Sequence, residues 1–170
     1  HIAKEQDHEL KILEAVELTN NRQKKVLLEK IITKFNGKLK GKRIAIWGLA
    51  FKPDTDDMRE APSRILIEGL WSHDATVTAY DPAAMEEARR VFGNDPRLQF
   101  ADTAYSALEN ADALVIVTEW KTFRSPDFSL IKSKLKQPII FDGRNMYDPG
   151  SIRAEGIEYY PIGRNECLLP

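Results

Sequence analysis

Cysteine is almost absent. The only one among 170 residues is Cys167, so the chain can form no internal disulfide and no multi-cysteine metal site. A lone thiol with no histidine near it in sequence reads as a bland residue rather than a nucleophile. His1, His8 and His73 are the only histidines, and they lack metal-ligand spacing. No apolar run approaches the roughly 18 residues of a membrane helix, and the N-terminus lacks a signal-peptide pattern. The expectation is a soluble cytoplasmic domain with no membrane partner. Charge of one sign is lacking too: 25 Lys and Arg face 26 Asp and Glu, a formal net charge of −1. No field favours nucleic acid or an anionic surface.

What is present alternates strand and helix. From about Lys4 to Phe35 there is neither proline nor glycine, and Glu, Lys, Leu and Gln are dense, which predicts one long helix. Leu10, Leu13, Val16, Leu27, Ile31 and Phe35 fall on one broad face, interrupted by Asn20 and Lys24. Thirty helical residues extend about 45 Å, more than one domain of this size needs to cover its core. The surplus predicts a homodimer with Leu13, Val16 and Leu27 near the seam, against the simpler reading of a terminal helix packed on its own domain. The chain opens at His1 directly in this helix and reads as a piece of a longer protein.

Further strands are predicted at Arg43 to Trp47, Ala75 to Tyr80, Leu98 to Phe100, Ala113 to Val117, Pro138 to Phe141 and Ile157 to Ile162. Helices are predicted from Ser63 to His73, from Asp81-Pro82 to about Phe92, from Thr103 to Asn110, weakly from Phe128 to Leu135, and as a short turn from Ser151 to Ala154. Such alternation implies right-handed βαβ crossovers: an α/β, Rossmann-like doubly wound parallel sheet preceded by a long N-terminal helix. The division is residues 1–37 for the helix, 38–165 for the sheet domain and 166–170 for a tail.

The chain is organised around Arg43 to Pro62. Its first half is a buried strand ending at Gly48; the second half cannot yet be helix. Pro53 lacks an N–H and biases Lys52 toward extended backbone, and Asp54, Thr55, Asp56 and Asp57 favour turns. A long polar loop therefore follows a strand's carboxyl end, where open α/β sheets hold ligands. If the first and fourth strands are neighbours, Lys52, Trp120 and Arg144 crowd one crevice. Two cations beside an aromatic suit a pyrophosphate carrying a flat base. Each has a plainer alternative: Lys52 as a solvated charge, Arg144 paired with Asp142 or Asp148, Trp120 in the core. A dinucleotide site on the same sheet is the rival. Its glycine code is missing, because Leu49, Ala50, Phe51 and Lys52 follow Gly48. Asp81 then reads as a helix N-cap rather than a ribose ligand.

The run Gly-Leu-Ala-Phe-Lys-Pro-Asp-Thr-Asp-Asp-Met-Arg-Glu-Ala-Pro-Ser, from Gly48 to Ser63, resembles the signature opening the C-terminal UDP-sugar-binding domain of UDP-glucose 6-dehydrogenases. GDP-mannose and UDP-N-acetylmannosamine dehydrogenases carry close variants. Thr118-Glu119-Trp120 and Asp142-Gly143-Arg144-Asn145-Met146-Tyr147-Asp148-Pro149 resemble two further signatures of that domain, in the right order, and the resemblance spans roughly residues 8–165. It implies that Phe51 and Lys52 bind UDP-glucose and that Arg144 binds its nucleotide part. Arg59 would reach the diphosphate of an NAD held mainly by an N-terminal domain that this sequence lacks, along with the catalytic cysteine. It also implies a central dimerisation helix ending near residue 37. Ala61-Pro62-Ser63 and Asp142-Gly143-Arg144-Asn145 favour the UDP-glucose enzymes over the GDP-mannose ones. A non-catalytic nucleotide-binding module is the alternative from another class.

Overall fold

The structure, a computed structural model, describes residues 11–164 and residue 166. His1, His8, Leu10, Cys167 and most of the expected tail lie outside the described residues. Helix α1 (Lys11–Lys34) leads into β1 (Arg43–Trp47), α2 (Pro62–Trp71), β2 (Thr76–Tyr80), α3 (Met85–Phe92) and β3 (Leu98–Phe100). After a 3₁₀ turn at Ser106–Leu108 come β4 (Ala113–Ile116), a second 3₁₀ turn at Lys121–Phe123, α4 (Phe128–Lys134), β5 (Ile139–Asp142), α5 (Pro149–Ala154) and β6 (Glu158–Pro161). All strand pairs are parallel, in the order β3-β2-β1-β4-β5-β6. This is the doubly wound Rossmann-like order expected from the alternation, with β1 and β4 adjacent at the switch point.

Strand alternation sorts the core into two layers. Ile44, Ile46, Ala113, Val115, Ile139 and Phe141 pack on one face with α1, α2 and α3. Ala45, Trp47, Leu114, Ile116 and Ile140 pack on the other with Phe123, Ile131, Ile152 and Tyr159. Only the C-terminal half of α1 joins the first layer. Leu27, Ile31 and Phe35 are buried there, while Leu13, Val16 and Leu18 stand 55, 49 and 71% exposed. The seam expectation is thus corrected at Leu27, whose side chain belongs to its own domain's core. Helices α1 and α2 lie close enough that a Cβ on Gly69 would fall 2.2 Å from Leu28 Cδ2.

Two helix expectations also change. Between Thr103 and Asn110 only the short 3₁₀ turn forms. Thr103 and Ser106 exchange hydroxyl and backbone hydrogen bonds of about 3 Å, and Asn110 ends the segment at φ +58°. The helix after Asp81 starts at Met85, because the Asp81 carboxylate holds the N–H groups of Ala83 and Ala84 in a turn ahead of it. Among the described residues no helix is long and apolar enough to cross a membrane.

Candidate functional site

The carboxyl edge of β1, β4 and β5 is built by two buried carboxylates. Asp81, following β2, is almost fully buried. Its Oδ2 accepts from the N–H of Leu49 (2.6 Å), the N–H of Ala50 (3.1 Å) and Trp120 Nε1 (3.1 Å), and its Oδ1 from Ala83 and Ala84. Asp142, at the end of β5, accepts from the N–H of Arg144 (2.8 Å) and of Met146 (2.7 Å) and from the Tyr159 hydroxyl (2.7 Å). Burial, then the Asp142 carboxylate, pushes the Tyr159 phenol well above its usual range, so it remains a donor.

Close approach explains two glycines. Gly48 sits at φ +91°, and a Cβ there would lie 2.5 Å from Thr118 Cβ. Thr118 in turn donates its hydroxyl to the Ala50 carbonyl at 2.6 Å, tying the exits of β1 and β4 together. At Gly143 a Cβ would meet Leu27 Cδ1 at 2.7 Å and the Ile116 carbonyl at 3.0 Å, so only glycine lets α1 close over the β5 exit.

Between these exits and α1 lies a cavity of about 460 Å³, lined by Asn20, Gln23, Lys24, Leu27, Phe51, Glu60, Pro62, Val117, Gly143, Arg144 and Ile162. A second, of about 500 Å³, shares Gly143, Arg144 and Ile162 and adds Glu119, Arg124, Asn145 and Met146. Arg144 stands on the wall common to both. Its Nη2 donates to the Phe51 carbonyl at 3.1 Å, and its Nε lies 2.5 Å from Glu119 Oε2. That oxygen has no aligned hydrogen-bond donor, so the contact is an ion pair rather than a hydrogen bond. Asn145, at φ +54°, locks this loop to the chain after β6 by exchanging amide bonds of 2.8 and 2.9 Å with Ile162.

Phe51 and Arg144, predicted from two separate motifs, are therefore brought together. Phe51 remains 46% exposed beside the cavity. Lys52 follows it but lines neither cavity. Trp120 is a correction to the expected stacking ring: it is 9% exposed, packed in the second core layer, with its indole N–H used by Asp81. Arg144 pairs with Glu119 rather than with Asp142 or Asp148. Arg59 is exposed and doubled back on Asp57, with Nη2 2.8 Å from Oδ2, which lowers the Asp57 carboxyl to about 2.

Sequence reasoning missed Lys24 and Glu119. Lys24 Nζ lies 2.7 Å from Glu60 Oε2. Its signal was present in the polar interruption of the helix's apolar face at Asn20 and Lys24, the positions where α1 borders the cavity.

The β1 loop does not fit a dinucleotide. The N–H groups of Leu49 and Ala50, which would face a pyrophosphate, are taken by Asp81, and Phe51 follows at once. The first cavity carries Lys24 and Arg144 on a largely apolar wall and the second is more polar, with Arg124 and Arg144; together they suit a phosphorylated ligand with a flat or sugar portion.

Comparison with known proteins gives the family. The UDP-binding domain of the UDP-glucose/GDP-mannose dehydrogenase family matches residues 45–149. UDP-glucose 6-dehydrogenase of Pseudomonas aeruginosa is 46% identical over 165 residues, covering 95% of this chain and 36% of that protein. The enzyme of Rhizobium meliloti is 40% identical over 161 residues, covering 94% and 36%. Among solved structures, a UDP-glucose dehydrogenase from Pyrobaculum islandicum superposes with a TM-score of 0.76 at 26% identity, over 94% of this chain and 34% of that one. The chain thus spans about a third of the length of the relatives it matches. Across that span it belongs to the UDP-glucose/GDP-mannose dehydrogenase family, of which it carries the UDP-binding domain.

Proposed function

We propose that this chain is the C-terminal UDP-sugar-binding part of a cytoplasmic, NAD-dependent UDP-glucose 6-dehydrogenase. The parent reaction would oxidise UDP-glucose to UDP-glucuronate. The observation that carries this reading is the bond from Arg144 Nη2 to the Phe51 carbonyl at 3.1 Å. It joins two distant motifs on the rim of one cavity, at the edge where such sheets take nucleotides.

In this reading Arg144 offers its guanidinium fork to the nucleotide, Phe51 lends its exposed ring, and Lys52 supplies a point charge from the rim. Arg59 serves the diphosphate of an NAD held elsewhere. This chain's own β1 loop does not fit that cofactor, so its part is to bind and orient the UDP. We also assign the exposed Leu13 and Val16, which lie about one turn apart on the same face of α1, to a second copy of the chain, because neighbouring large apolar side chains on a helix favour burial against a partner. Light scattering at micromolar concentration then gives twice the chain mass. A monomer indifferent to Leu13→Asp overturns the dimer.

Calorimetric titration with UDP tests the binding role: one saturable site per chain is expected. UDP-glucose with NAD should yield no NADH from this chain, since a nicotinamide site and an activated thiol are both needed for the oxidation. A chain that binds no UDP, or one that turns over by itself, contradicts the reading.

A further inference from the structure

We infer that Lys24 is a ligand-binding cation of the cavity and that Glu60 is the counter-ion it gives up when a nucleoside diphosphate enters. The inference rests on the UDP-binding reading above and adds to it the second charged wall. Lys24 projects from α1 on the side of the cavity opposite the sheet edge, whereas Phe51, Val117, Gly143 and Arg144 come from the exits of β1, β4 and β5. An anionic ligand seated there meets a cation from each side.

The exposures of the pair are unequal, and that decides which partner can leave. The Lys24 side chain is 15% exposed, that of Glu60 84%. Swinging Glu60 into water costs little, because an exposed carboxylate regains its hydration. Leaving Lys24 without an anion is costly, because a largely buried ammonium has lost most of its water. A phosphate oxygen can replace the carboxylate with a charge-assisted bond of the same kind. Glu60 is also held at φ +57° at the foot of α2, a backbone conformation that disfavours a residue of its type. Lys52, the cation expected from sequence, lines neither cavity in this state, so Lys24 and Arg144 are the two described cations that border the 460 Å³ space.

The test is calorimetric titration of the whole chain and its variants with UDP, and with uridine as the uncharged control. Lys24→Gln should weaken UDP at least tenfold and leave uridine unchanged. Lys24→Arg should stay within about threefold of the parent. Glu60→Gln, which removes the competitor, should tighten UDP about threefold or more, and the double variant should bind like Lys24→Gln. If Lys24→Gln unfolds, the Lys24→Arg and Glu60→Gln results carry the test. UDP affinity indifferent to Lys24, or weakened by Glu60→Gln, overturns the inference while the crevice reading survives on the effect of Arg144→Ala. A parent chain that binds no UDP overturns both.

Discussion

The buried carboxylates on the sheet edge and the cations that line the cavity beside it are built on opposite terms. Asp81 and Asp142 are sealed in, and every partner they hold is a backbone N–H or a fixed ring donor of the same domain. Lys24 and Arg144 are each paired with one glutamate that is partly or largely in water. Exchange of a buried carboxylate would orphan several donors at once, and exchange of a half-exposed counter-ion orphans none. The first kind of group fixes loop shape, and the second kind can trade partners with a ligand.

Removing Asp81 should give the largest effect. Asp81→Ala strips the acceptor from Leu49, Ala50, Ala84 and Trp120 together. A buried donor left without an acceptor costs about 1–3 kcal/mol, so the loss should exceed about 3 kcal/mol, a large part of a typical domain's 5–15 kcal/mol. Denaturant unfolding measures it. A loss under about 1 kcal/mol would mean that water replaces the carboxylate and that the edge is not sealed as described.

Tyr159→Phe should be the next largest. It keeps the ring in its packing and removes one bond to a buried carboxylate, worth about 1.5–3 kcal/mol for a charged acceptor. Asp142 retains the N–H groups of Arg144 and Met146, so the loop stays in place and UDP affinity should change by less than about threefold.

Arg144 should behave in the opposite sense. Arg144→Ala should weaken UDP roughly ten- to a hundredfold, the value of one charge-assisted bond, with a stability loss, from the counter-charge taken from Glu119, that stays below that of Asp81→Ala. Arg144→Lys should also lose affinity, because lysine keeps the charge without the planar fork. Lys52→Ala should weaken UDP by a similar factor if the rim lysine turns toward the ligand. Calorimetry that finds clear UDP binding indifferent to both residues would place the site elsewhere.

The fold was legible because strand and helix alternate cleanly and the two faces of each strand separate into two apolar layers. Arg144 was legible because it follows a predicted strand, and topology alone brings the exits of the first, fourth and fifth strands to one edge; Phe51 entered only through the family resemblance. Trp120 was misread for a long-range reason. Whether an aromatic in an exit loop turns outward depends on its acceptor, and Asp81, which claims its N–H, belongs to another strand. Leu27 was misplaced because periodicity shows which side of a helix is apolar but not where its domain stops covering it. Lys24 looked like a flaw in that stripe, since the cavity beside it exists only once β5 and α1 meet at Gly143.

The smallest expected effect belongs to Arg59, and it bounds the comparison from outside. Its side chain is 88% exposed and forked onto Asp57, and it lines neither cavity. The guanidinium holds Asp57 ionised down to about pH 2, so near neutrality the pair is fully charged and Arg59 stays folded back on its own loop. Arg59→Ala should therefore leave UDP affinity of this chain within about twofold and its stability within about 0.5 kcal/mol. Asp57→Asn keeps the loop's hydrogen-bonding shape, removes the counter-charge and frees the guanidinium. In the parent enzyme proposed above, Arg59→Ala should raise the Kd for NAD while UDP-glucose binding barely moves, the outcome that the proposed role of Arg59 requires. A tenfold loss of UDP affinity in this chain would instead make Arg59 part of the nucleotide crevice, and the line drawn here between the cavity wall and the outer loop would have to move.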